Sequence, residues 1–276
     1  MKSRIIGTPP SVDDWFLSAP GQYLLDWERA SFDQAVANVF GYHAVQLGMP
    51  QLDALQANRI PHRWLALDTA PGLLHADGLD TMPPERLALR TDFAALPFPE
   101  ASLDLVLLPH TLELNADPHA TLREVARVLV PEGRVMLTGL NPVSLWGLRQ
   151  RGARLAQRWG WGELFLPEAG EFLGHRRLRD WLHLLDFEIE LCQFGGYRLP
   201  VRSEPWLRRS EVLDRLGPRG WPILGAVYFI VAVKRIHGMR LMRPGWRVPH
   251  INAAGAVTVA RYHRPSQANT EHHEPR

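Results

Sequence analysis

Gly48, Asp68 and Asp92 stand at regular intervals, each at the end of a short apolar run, and their types suit the binding of a nucleoside. A glycine that closes such a run lets backbone approach a ligand closely. A carboxylate about 20 residues further on, here Asp68, is placed to accept hydrogen bonds from ribose hydroxyls. Asp92 is followed by Phe93; the carboxylate can accept from an adenine amino group while the ring packs on the base. Any one aspartate at a strand end can equally cap a helix, so it is the joint placement that points to a nucleoside. His110 closes a fourth run after Pro109 and could take a proton from an oxygen or nitrogen acceptor, or could be a packed histidine that only shapes the site. Asn141 follows the fifth run. Trp146, with Arg149, Arg151, Arg154 and Arg158 behind it, could line a pocket for an anionic or aromatic acceptor, or belong to a solvated amphipathic helix.

The elements that would position these residues alternate in type. Leu24, Leu25, Phe32, Val36 and Val39 recur at helical spacing over Gln22 to Phe40. A short strand follows from His43 to Gly48, then a helix-like stretch from Gln51 to Ile60 and a strand from Trp64 to Asp68. Thr69 to Glu85 has weak helical character, and Leu87 to Asp92 is a third strand. Leu103 to Leu108 is unbroken apolar, the mark of a strand covered on both faces. A helix from His119 to Val130 ends at Pro131-Glu132-Gly133, and Arg134 to Gly139 is a fifth strand. Later come a basic helix within 141–162, a helix from Leu178 to Leu185 and strands from Phe187 to Phe194 and from Ile223 to Lys234. Such a rhythm predicts an α/β, doubly wound, mostly parallel sheet whose ligands sit beyond the strand C-termini, where the strand order reverses.

The stretch Thr91-Asp-Phe-Ala-Ala-Leu-Pro-Phe-Pro-Glu-Ala-Ser-Leu-Asp-Leu-Val-Leu-Leu108 resembles the D-x-x-x-LPF-x-x-x-SFD-x-V block of type 11 class I S-adenosylmethionine-dependent methyltransferases. Asp117 to Arg134 is similar to their DP-x-x-x-LRE-x-x-RVL-x-P-x-G-x helix and turn. The resemblance covers roughly residues 41–235, and the segments 21–28 and 141–148 look like a proteobacterial branch. It implies a Rossmann-like, seven-stranded sheet with an antiparallel last strand and S-adenosyl-L-methionine as cofactor. Gly48, Asp68, Asp92, Phe93, Pro109 and His110 would then be cofactor-binding residues and Asn141 and Trp146 part of the acceptor pocket. The implied reaction is methyl transfer to an O, N or C atom of a small-molecule acceptor. The glycine motif departs from the family: for E/D-x-G-x-G-x-G this chain has Gln46-Leu-Gly-Met-Pro-Gln-Leu52. Proline fixes φ and removes a donor, so a non-catalytic binding protein on the same fold is the alternative.

Composition sets the remaining bounds. With 276 residues, 46% of them hydrophobic and 22% charged, the chain can bury a full core. It divides into a lead-in and helical cap over 1–40, a catalytic domain over 41–242 and a mobile tail over 243–276. The domain carries a helical insert at about 141–165 and a charged one at about 202–220. The single Cys192 rules out an internal disulfide and a multi-thiolate zinc site; no metal is expected. No targeting segment or membrane span is read, which places the chain in the cytoplasm. Residues 1–139 hold 10 basic against 17 acidic side chains, and residues 140–276 hold 21 against 12. Nucleic acid is the least favoured partner for that basic half, because no aromatic-basic module accompanies it.

Overall fold

The computed structural model describes residues 12–69, 87–159, 164–167 and 172–235. These fall within the first of two compact units, Met1–His237. The expected tail and the helical stretch after Thr69 lie outside the described residues.

Seven strands form one sheet in the order β3-β2-β1-β4-β5-β7-β6. They are β1 (His43–Leu47), β2 (His62–Asp68), β3 (Leu87–Thr91), β4 (Leu103–Pro109), β5 (Leu129–Leu140), β6 (Phe187–Gly195) and β7 (Val227–Lys234). The first five run parallel, and β7 lies antiparallel between β5 and β6. This is the expected doubly wound, seven-stranded, mostly parallel sheet with an antiparallel last strand. Its strand order reverses between β1 and β4, the place where doubly wound sheets open a crevice.

Alternation along β4 explains why its sequence reads as continuously apolar. Leu105 and Leu107 enter one core with Leu24, Phe32 and Phe229. Val106 and Leu108 enter the opposite core with Leu122, Val125 and Trp181. Both faces are thus covered by helices. Helices α1 (Val12–Leu17) and α2 (Ala19–Val36) cover the first face. Phe32 of α2 meets Phe229 edge to face at 5.0 Å. On the second face lies α4 (Pro118–Val128), which begins where the Asp117 carboxylate accepts from Ala120 N–H at 2.9 Å and Pro118 takes the first turn. It buries Leu122, Val125 and Val128 completely, a gain of about 2 kcal/mol per side chain. The remaining helices are α3 (Thr111–Leu114), α5 (Leu145–Gln157), α6 (His175–Leu184), α7 (Glu204–Arg209) and α8 (Val212–Gly220).

Two sequence expectations are corrected. Residues 51–60 form turns, not a helix: Asp53 and Asn58 accept from Leu55 N–H and Ile60 N–H two residues ahead, the local bonding by which Asx side chains compete with helix. The Pro131-Glu132-Gly133 turn does not end a helix. It lies within β5, where the pairing with β4 shifts register between Leu103 and Leu105 and Glu132 takes a positive φ of 63°. A further helix, α1, begins at Val12, ahead of the helical stretch expected from Gln22.

Candidate functional site

The ends of β1, β2 and β4 and the segment after β3 bound a small cavity. Its lining includes Gly48, Asp68, Phe93 and Pro109, four of the expected cofactor residues, together with Met49, Thr111, Leu114 and Asn115. Gly48 has φ +74°, a conformation that glycine adopts at little cost. A side chain there would touch Thr111 Oγ1 at 3.7 Å and the Phe93 ring at 3.8 Å. The Thr111 hydroxyl donates to the Leu47 carbonyl at 2.5 Å, tying the end of β1 to the start of α3. Asp92 is exposed and outside the lining; its carboxylate accepts from Ala94 N–H at 2.8 Å and Ala95 N–H bonds its carbonyl. The resulting turn sends the neighbouring Phe93 ring inward, where it is 4% exposed.

The departure in the first-strand motif has a definite structure. Gln46 is buried, and its side-chain amide donates to the carbonyls of Gly48 (3.1 Å), Met49 (2.9 Å) and Leu52 (2.7 Å). Its oxygen accepts from Ala54 N–H at 3.1 Å. The loop therefore turns carbonyls inward, and only a residue with both donors and an acceptor satisfies it. Leu52, which stands where the family pattern has a glycine, and Met49 are buried in the first core. Proline at 50 is tolerated because the turn is held by this side chain and not by a glycine-rich backbone.

His110 sits behind the cavity and does not line it. The ring is 1% exposed, with Nε2 2.7 Å from Glu28 Oε1 of α2 and Nδ1 bonded to Glu113 Oε1. Glu113 Oε2 in turn accepts from Leu140 N–H at 2.9 Å. Burial would lower the imidazole pKa, but Glu28 and Glu113 outweigh it and push it up to about 10. A histidine whose two nitrogens are both committed and protonated does not accept a proton, so the expected base role meets a geometry that does not provide it. The residue holds φ 53° and its N–H bonds the Thr138 carbonyl at 3.1 Å. Left-handed backbone at a non-glycine costs energy that the surroundings must supply; here the two carboxylates do so, and they fix the Pro109–Thr111 bend that walls the cavity.

Asn141 and Trp146 are also placed away from it. Asn141 donates to the Ile223 and Gly225 carbonyls and accepts from Val143 N–H. Trp146 is buried beside Trp15, Tyr23 and Phe165, with Nε1–H donating to the Arg198 carbonyl at 2.6 Å. Both join the segment after β5 to the segment after β6, and their hydrogen-bonding groups are spent on backbone.

Sequence reasoning missed Glu28, Thr111 and Asn115 as neighbours of the site. Glu28 carried a signal: with Leu24, Leu25 and Phe32 it falls on the apolar face of α2, where a carboxylate needs a partner. Thr111 carried none.

Residues 48–137 match the family model described as a methyltransferase domain. A protein of Escherichia coli strain K12 described as "Uncharacterized protein YafS" is 33% identical over 172 residues, 62% of this chain. The chain spans 65% of that relative's length. Among solved structures, a complex between the Haloferax volcanii Trm112 methyltransferase activator and a putative methyltransferase is similar at TM-score 0.54 and 17% identity, over 83% of this chain and 100% of that one. A Thermotoga maritima S-adenosylmethionine-dependent methyltransferase, described as a possible histamine N-methyltransferase, gives 0.53 and 19%, over 81% and 94%. The [4+2]-cyclase SpnF gives 0.51 and 15%, over 84% and 98%. At these identities the likeness is one of fold, and the cyclase illustrates that the fold alone does not determine the reaction.

Proposed function

We propose that the chain is an enzyme that transfers the methyl group of S-adenosylmethionine to an O, N or C atom of a small-molecule acceptor, because residues 48–137 match the methyltransferase-domain family model on a seven-stranded doubly wound sheet. The observation that carries the reading is the convergence of Gly48, Asp68, Phe93 and Pro109 on one cavity at the strand-order reversal. The cavity's residues fit the cofactor: an apolar wall, a glycine in left-handed backbone and a carboxylate at the end of β2.

The bound cofactor supplies an electrophilic methyl group, and the chain's residues bind, orient and keep water away. Asp68 would accept from the ribose hydroxyls, and Phe93 would pack on the adenine. Asp92 closes the turn that sends the Phe93 ring inward and so acts through that ring. Pro109 and Thr111 would hold the methionine portion, on a bend fixed by His110. His110 is thus a positioning residue. Methyl transfer is an in-line displacement, so this alignment and the exclusion of water carry the rate.

S-adenosylhomocysteine tests the reading directly. The full chain should gain thermal stability with rising ligand concentration, because a ligand that binds only the folded state stabilises it by mass action. Asp68→Ala should weaken that binding by about 10- to 100-fold, the loss of one or two charge-assisted hydrogen bonds. Absence of any shift at millimolar ligand would sink the proposal. An unchanged affinity in Asp68→Ala would remove the ribose assignment.

A further inference from the structure

Helix α5 turns one face inward and leaves a second apolar face in water. The inner face is fixed by buried Trp146, Gly147 and Gln150. Gln150 Oε1 accepts from Phe165 and Leu166 N–H at 2.9 and 2.8 Å. On the opposite side Leu145, Leu148, Leu155 and Trp159 are 41, 63, 60 and 78% exposed. With Gly152 between them, these positions fall within an arc of roughly 80° at the helical repeat. Trp159 continues the stripe through the closing turn, in which its N–H bonds the Ala156 carbonyl at 3.0 Å. An ordinary surface helix has polar residues where this stripe lies.

The charges beside the stripe have one sign. Arg151 and Arg158 flank it on one side, and neither makes an ion pair among the described residues; Arg149, on the other side, donates to the Pro200 carbonyl. Residues 141–162 contain no aspartate or glutamate. An apolar stripe bordered by arginines and ending in a tryptophan matches the requirements of an anionic bilayer surface. The leucines enter the acyl boundary, the indole sits at headgroup depth, and the guanidinium groups reach phosphate along their apolar stems. Nucleic acid would pair the arginines but leave the leucines in water. No helix among the described residues is long and apolar enough to cross a membrane, so contact would be in the plane of the surface.

We propose that α5 docks the protein on the surface of an anionic phospholipid bilayer through Leu145, Leu148, Leu155 and Trp159, with Arg151 and Arg158 meeting the headgroups. Neither the cavity nor Asp68 takes part, so a failure here leaves the methyl-transfer reading intact.

Co-sedimentation of the full chain with vesicles tests it, using phosphatidylcholine alone and phosphatidylcholine with about a third phosphatidylglycerol. The chain should bind the anionic vesicles at least tenfold more tightly, and added salt should weaken the binding. Leu148→Glu with Leu155→Glu, and separately Arg151→Gln with Arg158→Gln, should each reduce it about tenfold or more. All four side chains are exposed, so thermal melts should show both double variants folded. Bromine-bearing lipid should quench a part of the tryptophan emission that is missing in Trp159→Phe. Lack of binding to anionic vesicles, equal binding to neutral ones, or double variants that bind like the wild type would overturn the proposal. So would a vesicle-free wild-type oligomer that the leucine variant dissociates, which would give the stripe to a second copy of the chain.

Discussion

His110→Leu should destabilise the protein by about 3–5 kcal/mol at pH 6, because it removes the cation that sits between two buried carboxylates. Breaking a buried pair from one side leaves the remaining charge without compensation. Glu28 is wholly buried and Glu113 nearly so, and both contact the ring. The loss should depend on pH in a definite direction. The folded-state pKa of His110, about 10, lies above the ordinary value of 6.5. Its electrostatic contribution is therefore fully present below about pH 6.5 and falls away as the pH rises towards 10. Denaturant titrations at pH 6 and pH 9.5 should show the gap between wild type and His110→Leu narrowing at the higher pH. His110→Gln, which keeps a donor but no charge, should fall between the two at pH 6. A gap that stays constant across this range would mean that the ring matters for packing, including its contact with Phe16 at 5.1 Å, and not for charge.

That cluster also marks the limit of what a sequence displays. The sheet was legible because its central strands are buried on both faces, so Leu103 to Leu108 and Val227 to Val233 announce themselves by composition alone. Gly48, Asp68 and Pro109 were legible because parallel strands all deliver their C-termini to one edge. Position on that edge does not fix direction, however. Asp92 closes its own turn while Phe93 points inward, and His110 points away from the cavity that its neighbour Pro109 lines. One of the two partners of His110, Glu28, is 82 residues earlier in the chain, and no local pattern links the two. Asn141 and Trp146 were misplaced for a related reason. A polar or aromatic residue after a strand reads as a binding group, yet the backbone that each of them satisfies comes from segments more than 50 residues away.

The second large effect comes from restoring the family's own residue. Gln46→Glu recreates the acidic first position of the glycine motif, and by family pattern alone it should be harmless or helpful. The structure predicts a loss of about 2–4 kcal/mol. A carboxylate cannot donate, so the carbonyls of Gly48, Met49 and Leu52 lose their shared partner in a buried place. They would also face a negative group. The carboxylate would keep only the bond from Ala54 N–H. Because the same loop delivers Gly48 to the cavity wall, S-adenosylhomocysteine binding should weaken together with stability. Gln46→Met serves as the control: close in size and uncharged, it leaves the carbonyls unsatisfied without repulsion and should cost less than Glu. If Gln46→Glu melts with the wild type, the loop can turn its N–H groups inward as a glycine-rich loop does. The amide–carbonyl arrangement would then not be what holds Pro50 and Leu52 in place.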